Sequence, residues 1–266
     1  MTHNQVVSRD QWLWARRALL FKEKEHTRQH DELTAEIRAL PWVGIDKPYV
    51  FDGPNGRETL ADLFEGRSQL IVKHFMFGPG WKEGCVGCSF HCDHIDGALA
   101  HLAQRDVTWI AVSRAPFAEF EPFRQRMGWR FKWVSSYGSD FNTDFHVSFT
   151  KDEIAAGAIY YNYETRDLSF KSEEMSGTSV FYKDEGGDIF HTYSSYARGN
   201  EIFLGTYHYL DIVPKGRNET GPNHNLGDWV RHHDRYDAGG FVDRTGRYVA
   251  PEPAPAECCC ALEERS

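Results

Sequence analysis

The pattern that most constrains this chain lies between residues 69 and 113. Gln69–Phe77 (QLIVKHFMF) is a mostly apolar run of strand length. It lacks the alternation of a strand with one wet face, so it reads as a buried central strand. A loop of Gly, Pro and Trp follows at Gly78–Gly84. Cys85–Gln104 reads as helix, and Val107–Ser113 (VTWIAVS) as a second buried strand. Two buried strands joined through a helix make a βαβ unit, with a parallel pair and a right-handed crossover. The pattern then extends by one helix and one strand. Pro116–Met127 has proline in its first turn and Gly128 past its end, and Lys132–Ser136 is a third strand. The expected class is α/β, a central mixed sheet flanked by helices.

The chemistry concentrates where the first strand turns into the helix. Cys85 and Cys88 open that helix. A helix N-terminus presents unpaired N–H groups and the positive end of its dipole, and both favour the thiolate, the nucleophilic form of cysteine. A second cysteine one turn on, on the same face, can attack a mixed disulfide formed at the first. This reading makes Cys85 the attacking thiol and Cys88 the resolving one. Cys88, Cys92, Ile95, Leu99 and Leu102 form one stripe at 4, 3, 4, 3 spacing, facing the sheet. Cys92 therefore reads as a small core residue, with an accessory thiol as the alternative. His91 and His94 fall off the stripe, and structural zinc usually draws ligand pairs from two segments. No metal and no cofactor is expected.

The other cysteines are Cys258, Cys259 and Cys260, near the end of the chain. Adjacent cysteines bridge to each other only with strain. Cysteines in two tight groups do not make a secreted disulfide framework, which staples distant segments.

Around this centre the chain divides into three parts. Residues 1–45 form a helical extension. Ser8 has Gln11 three residues on, a capping-box spacing, and a body free of Gly and Pro runs to Leu40 before Pro41. Residues 46–236 hold the main domain, with an insertion around 140–175. Within it, Thr178–Lys183 and Ile189–Tyr193 flank a Gly-Gly turn and read as a hairpin. Residues 237–266 read as a flexible tail, and His232-His233 as a surface pair.

The charge, 30 Lys plus Arg against 39 Asp plus Glu for a net −9, excludes non-specific nucleic-acid binding, which neutralises phosphates. It argues equally against an anionic membrane surface. Met1–Asp10 is polar, with no apolar segment of a secretory signal, and no run reaches the roughly 18 apolar residues of a membrane span. A soluble, cytoplasmic protein is expected, with no nucleic-acid or membrane partner. The long first helix and the aromatic residues offer surfaces on which a homodimer could form.

GCVGCSFHCDHIDG (84–97), VTWIAVSRAPFAEFEPFRQRMGWRFKWVSSYGSDFNTDF (107–145), GTSVFYKDEGGDIFHTYSSYARG (177–199) and LGTYHYLDIVPKGRNE (204–219) resemble the DUF899 family of thioredoxin-like bacterial proteins. The resemblance spans most of residues 5–236 and implies a thioredoxin-like fold. It also places Trp81 and Thr178 beside the substrate. Thioredoxin itself has Trp immediately before its first cysteine, where this chain has Gly84, with Trp81 four residues before Cys85. It has a buried carboxylate on the central strand where this chain has Lys73 and His74, and a cis-proline where this chain has Thr178. The function expected is thiol-disulfide exchange with a thiol or disulfide substrate. One alternative is a thiol peroxidase with Cys85 as peroxidatic cysteine; Pro79 lies six residues before Cys85, and no Thr stands in the loop. The other is a non-catalytic binding protein of the same fold.

Overall fold

The computed structural model describes residues 4–167 and 172–251. The chain forms two units, residues 1–43 and 44–266. The first is the helix α1 (Arg9–Arg38), followed by a short segment. Ser8 caps it, its Oγ accepting from the Gln11 amide at 3.3 Å while the Gln11 side chain accepts from the Ser8 amide at 3.0 Å. No residue of α1 is buried, and Trp14 and Phe21 are among its exposed aromatics.

The second unit is built on a mixed sheet. Its strands are β1 (Val43–Gly44), β2 (Val50–Gly53), β3 (Gly56–Thr59), β4 (Gln69–His74), β5 (Val107–Ser113) and β6 (Lys132–Ser135). The hairpin β7 (Ala158–Tyr161) with β8 (Glu164–Asp167) stands apart, and β9 (Gly177–Lys183) and β10 (Ile189–Tyr196) complete the sheet in the order β1-β10-β9-β4-β5-β6-β2-β3. β4, β5 and β6 run parallel, with Leu70 opposite Thr108 and Ala111 opposite Trp133. β9 is antiparallel to β4, and β10 to β9. The order β10-β9-β4-β5, a parallel βαβ unit flanked by an antiparallel hairpin, is the thioredoxin-like arrangement.

Two apolar clusters cover the two faces, divided by the period-two alternation of the strands. Leu70, Val72, Ile110 and Val112 point to one, with Phe51, Phe64 and Phe141. Ile71, Trp109, Ala111 and Trp133 point to the other, with Phe75, Phe120, Phe123, Cys88 and Cys92. The same alternation divides Lys73 from its neighbour. His74 stacks on Phe145 on the first face, while Lys73 shares the second with the cysteine helix.

The helix expected over 85–104 is two helices, α2 (Val86–Asp93) and α3 (Leu99–Gln104), joined by turns. His94 causes the break. In an unbroken helix the Phe90 carbonyl would accept the His94 N–H. Instead it accepts from His94 Nδ1 at 2.6 Å, and the His94 N–H goes to His91 O. Nε2 of the same ring accepts the Thr206 amide at 3.0 Å, which places the ring proton on Nδ1. The apolar stripe survives the break, because Ile95, Leu99 and Leu102 pack on the cluster that holds Cys88 and Cys92.

α4 (Phe117–Met127) follows the expected span and ends at Gly128 in the left-handed region. The insertion contains α5 (Phe141–Asp144), α6 (Lys151–Ala156) and the β7–β8 hairpin. It has a small core of Val147, Phe149, Ile159 and Tyr161 against Tyr196. A 3-10 turn at Ala197–Phe203 leads into α7 (Gly205–Leu210), and the chain then crosses the outer side of α2, where Leu204, Tyr207 and Val230 bury Phe90. The residues from 237, expected as tail, include an antiparallel pair β11 (Phe241–Val242) and β12 (Tyr248–Val249). Cys258, Cys259 and Cys260 lie outside the described residues. Among the described residues no helix is long and apolar enough to cross a membrane.

Candidate active site

Cys85 is the N-cap residue of α2. Its amide donates to the Met76 carbonyl at 3.2 Å, and its carbonyl accepts from the Ser89 amide and hydroxyl, both at 2.9 Å. The residue before it is glycine for a steric reason. A Cβ on Gly84 would stand 2.7 Å from ring carbons of both Phe75 and Phe123, so the tryptophan of thioredoxin has no room here.

The loop ahead of Cys85 is held from two directions. Lys82 and Glu83 both donate their amides to the Gly246 carbonyl, at 3.1 and 2.8 Å. His232 Nε2 donates to the Gly84 carbonyl at 2.8 Å, and its Nδ1 accepts from Arg126 at 2.9 Å. His232 is therefore buried, not half of a surface pair; only His233 is exposed. Burial, the largest influence on the ring, lowers the His232 pKa and keeps it neutral. Nothing in the local sequence marks this role, because the contact joins residues 148 positions apart.

Cys85 is half-buried and Cys88 is 1% exposed. The interaction between the two sulfurs, reinforced by burial, pushes the Cys85 pKa up. Burial also penalises a Cys88 thiolate, but four groups together outweigh it. They are the Cys85 thiol, the Lys73 ammonium, the Met76 amide, which donates to Sγ at 3.5 Å, and the Ser176 hydroxyl. The Cys88 pKa is lowered.

Lys73 is 2% exposed, with Nζ 2.6 Å from Ser176 Oγ. Among the described residues no carboxylate pairs with it; its negative neighbour is the Cys88 sulfur. Where thioredoxin has a buried carboxylate, this chain has a buried cation that favours a thiolate. Cys92 is fully buried, and desolvation drives its pKa up, as an inert core thiol requires. Among the described residues no three His, Cys, Asp or Glu side chains stand together as a metal site.

Both sulfurs line a cavity of about 530 Å³, with Lys73, His91, Ser176 and Asn200. His91 is 3% exposed, stacks on Phe203, and leaves Nδ1 without a partner. Burial and then the Lys73 charge lower its pKa, so the ring is neutral. A second cavity of about 480 Å³ also reaches Cys85, lined by Trp81, Met76 and Met175 among others. Trp81 thus borders the dithiol. Thr178 is buried in β9, its hydroxyl bonded to Asn200 Oδ1 at 2.7 Å. It lines neither cavity, and Asn200 stands between it and the site.

Several solved structures are similar to part of the chain. Peroxidoxin BcpB from Mycobacterium tuberculosis is 11% identical over 64% of this chain and 97% of its own, with a TM-score of 0.41. A Xanthomonas campestris peroxiredoxin Q is 13% identical over 63% and 95%, with a TM-score of 0.40. A thiol:disulfide interchange protein from a Bacteroides species is 11% identical over 68% and 97%, with a TM-score of 0.35. No curated protein matches the chain. The family model described as bacterial protein of unknown function (DUF899) matches residues 1–236, and the chain belongs to that family.

Proposed function

We propose that the protein is a thiol-disulfide oxidoreductase working through Cys85 and Cys88. The observation that carries this reading is the Cys85–Cys88 pair at the head of α2, opening on a cavity beside a buried lysine. In the resting pair the Cys88 thiolate is the base for the Cys85 thiol. When a disulfide approaches, the proton passes from Cys85 to Cys88 and the Cys85 sulfur attacks one substrate sulfur. A mixed disulfide forms and the other substrate sulfur leaves as thiolate. Cys88 gives its proton to that thiolate and attacks Cys85. The protein disulfide closes and the second substrate sulfur leaves as thiolate. Two electrons pass from the dithiol to the substrate, and Lys73 lies beside Cys88, the sulfur that closes the disulfide.

The test is single-turnover oxidation by a small disulfide, with Cys85→Ser and Cys88→Ser alongside. The expected result is a reversible 85–88 disulfide in the wild type, a trapped mixed disulfide in Cys88→Ser, and no adduct at residue 88 in Cys85→Ser. Two thiols that titrate in the ordinary range and never close to a disulfide would end the proposal. A stable sulfenic acid at Cys85 under hydrogen peroxide, with no reaction toward disulfides, would replace it with the peroxidase reading.

A further inference from the structure

The last described residues of the chain frame the approach to Cys85. His232 holds the Gly84 carbonyl, Arg235 pairs with Glu83 at 2.9 Å, and the Gly246 carbonyl receives the Lys82 and Glu83 amides. Phe241, Val242, Asp243 and Arg244 help to line the second cavity that reaches Cys85. The chain leaves from this frame. Phe241 pairs with Val249, and a Cβ on Gly239 would stand 3.1 Å from Pro251 Cγ. Pro251 is two residues past Val249, so its Cα lies within about 13 Å of the Phe241 Cα. Cys258, Cys259 and Cys260 lie outside the described residues, seven to nine positions beyond Pro251. A chain of that length spans up to about 25–32 Å, roughly twice that distance, enough to follow the cavity wall from Phe241 to Cys85. Cys92, the other cysteine among the described residues, is fully buried. The tail therefore carries the thiols of this chain that can approach Cys85 from outside.

We propose that the C-terminal tail is an internal electron donor to the dithiol, a thiol of Cys258–Cys260 attacking Cys85 of the 85–88 disulfide and returning the pair to its reduced state. The proposal rests on the oxidoreductase reading above and adds the group that regenerates the pair. Attack falls on Cys85 because it is half-buried, whereas Cys88 is 1% exposed. The 85–88 bond breaks, and Cys88 leaves as thiolate beside Lys73, the Met76 amide and the Ser176 hydroxyl. A thiol with a lowered pKa is the better leaving group. A second tail thiol gives its proton to Cys88 and attacks the first tail sulfur, and Cys85 leaves as thiolate. Cys258 and Cys260 are the pair that closes, since adjacent cysteines bridge only with strain. Two electrons pass from the tail to the dithiol, and the tail ends as a disulfide.

The test starts from the mixed disulfide that hydroxyethyl disulfide leaves at Cys85 in Cys88→Ser. Three such variants each keep one tail cysteine, the other two changed to serine, and acid quench with peptide mapping follows the bond. In at least one of the three the bond is expected to pass from mercaptoethanol to the tail cysteine, at a rate independent of protein concentration. With all three tail cysteines changed to serine the mixed disulfide stays, and a free peptide of residues 252–266 with the same single cysteine takes it in proportion to its concentration. The ratio of the two rate constants is the effective concentration of the tail, expected at about 1 mM or more for a short tether that spans the sites. A ratio far below that, a rate that rises with protein concentration, or no bond from Cys85 to any tail position would overturn the proposal. Failure of the wild type to close the 85–88 bond, and of Cys85 to take up hydroxyethyl disulfide, would instead remove the oxidoreductase reading beneath it.

Discussion

At Cys88 and Lys73 the outcome depends on which of two opposed effects is larger. Burial alone raises a thiol pKa, as it does for Cys92 on the same helix. Cys88 is equally enclosed, yet its pKa is lowered, because a donor thiol, an amide, a hydroxyl and a cation converge on it. Cys92 feels the same lysine but lacks the hydrogen-bond donors. Lys73→Met is therefore expected to raise the pH at which thiolate absorbance develops by about one unit or more. Lys73→Arg, which keeps the charge, should restore much of the difference. The check is absorbance near 240 nm against pH in the reduced protein, with Cys88→Ser as the blank. An unshifted curve in Lys73→Met would mean that the lysine does not govern the pair.

The loop before α2 and the β11–β12 pair form one working unit. Gly246 has φ +69°, a left-handed conformation that glycine adopts freely. A Cβ there would meet Trp81 Cβ at 2.6 Å and the Glu83 carbonyl at 2.7 Å. The carbonyl of Gly246 also receives both amides of the loop. Gly246→Ala should therefore free that loop at a cost of about 1 kcal/mol or more. Hydrogen exchange is expected to accelerate at Lys82 and Glu83 while β4 and β5 stay protected. Unchanged protection at those two amides would show that the pair is only an accessory. The α2–α3 break belongs to the same scale. A histidine side chain outcompeted the backbone for one carbonyl, although the surrounding residues favour a continuous helix.

At the scale of the whole molecule, one buried carboxylate contributes a pH dependence to stability that runs against the usual carboxylate direction. Glu174 is 1% exposed, bonded to Arg114 and Ser148. Arg114 and the hydroxyl pull its pKa down, but desolvation is larger and raises it to about 7. Between the ordinary value of 4.5 and about 7 the folded state then binds a proton that the unfolded chain has released. The contribution of Glu174 to stability therefore falls as pH rises through that window, against the opposite contribution of the buried neutral histidines His74, His91 and His232. The full span is on the order of 3 kcal/mol at 1.36 kcal/mol per unit. In Glu174→Gln this contribution should vanish, so that the variant gains on the wild type between pH 4.5 and 7.5 in urea denaturation. Parallel profiles would show that Glu174 is ionised throughout.

Local pattern was enough for the elements whose signals lie within a short stretch. The buried runs of β4 and β5, the Ser8–Gln11 box, the Gly128 stop of α4 and the stripe from Cys88 to Leu102 all depend on neighbours in sequence, and all were legible there. The alternation along β4 also places Lys73 on the face of Ile71, the cysteine face. What only the tertiary structure decided depends on contacts between distant segments. The insertion folds because Tyr196 completes its small core. The break in α2–α3 is secured by Thr206, and His232 is buried because the Gly84 carbonyl needs a donor. The same holds for the feature most important to function. The CxxC spacing and its helix N-terminus point to a dithiol. The groups that bear on Cys88 come from elsewhere in the chain, Lys73 from β4, Met76 from the segment after it and Ser176 from the segment before β9. Electrostatic energy depends on distance in space, and sequence separation carries almost none of that information.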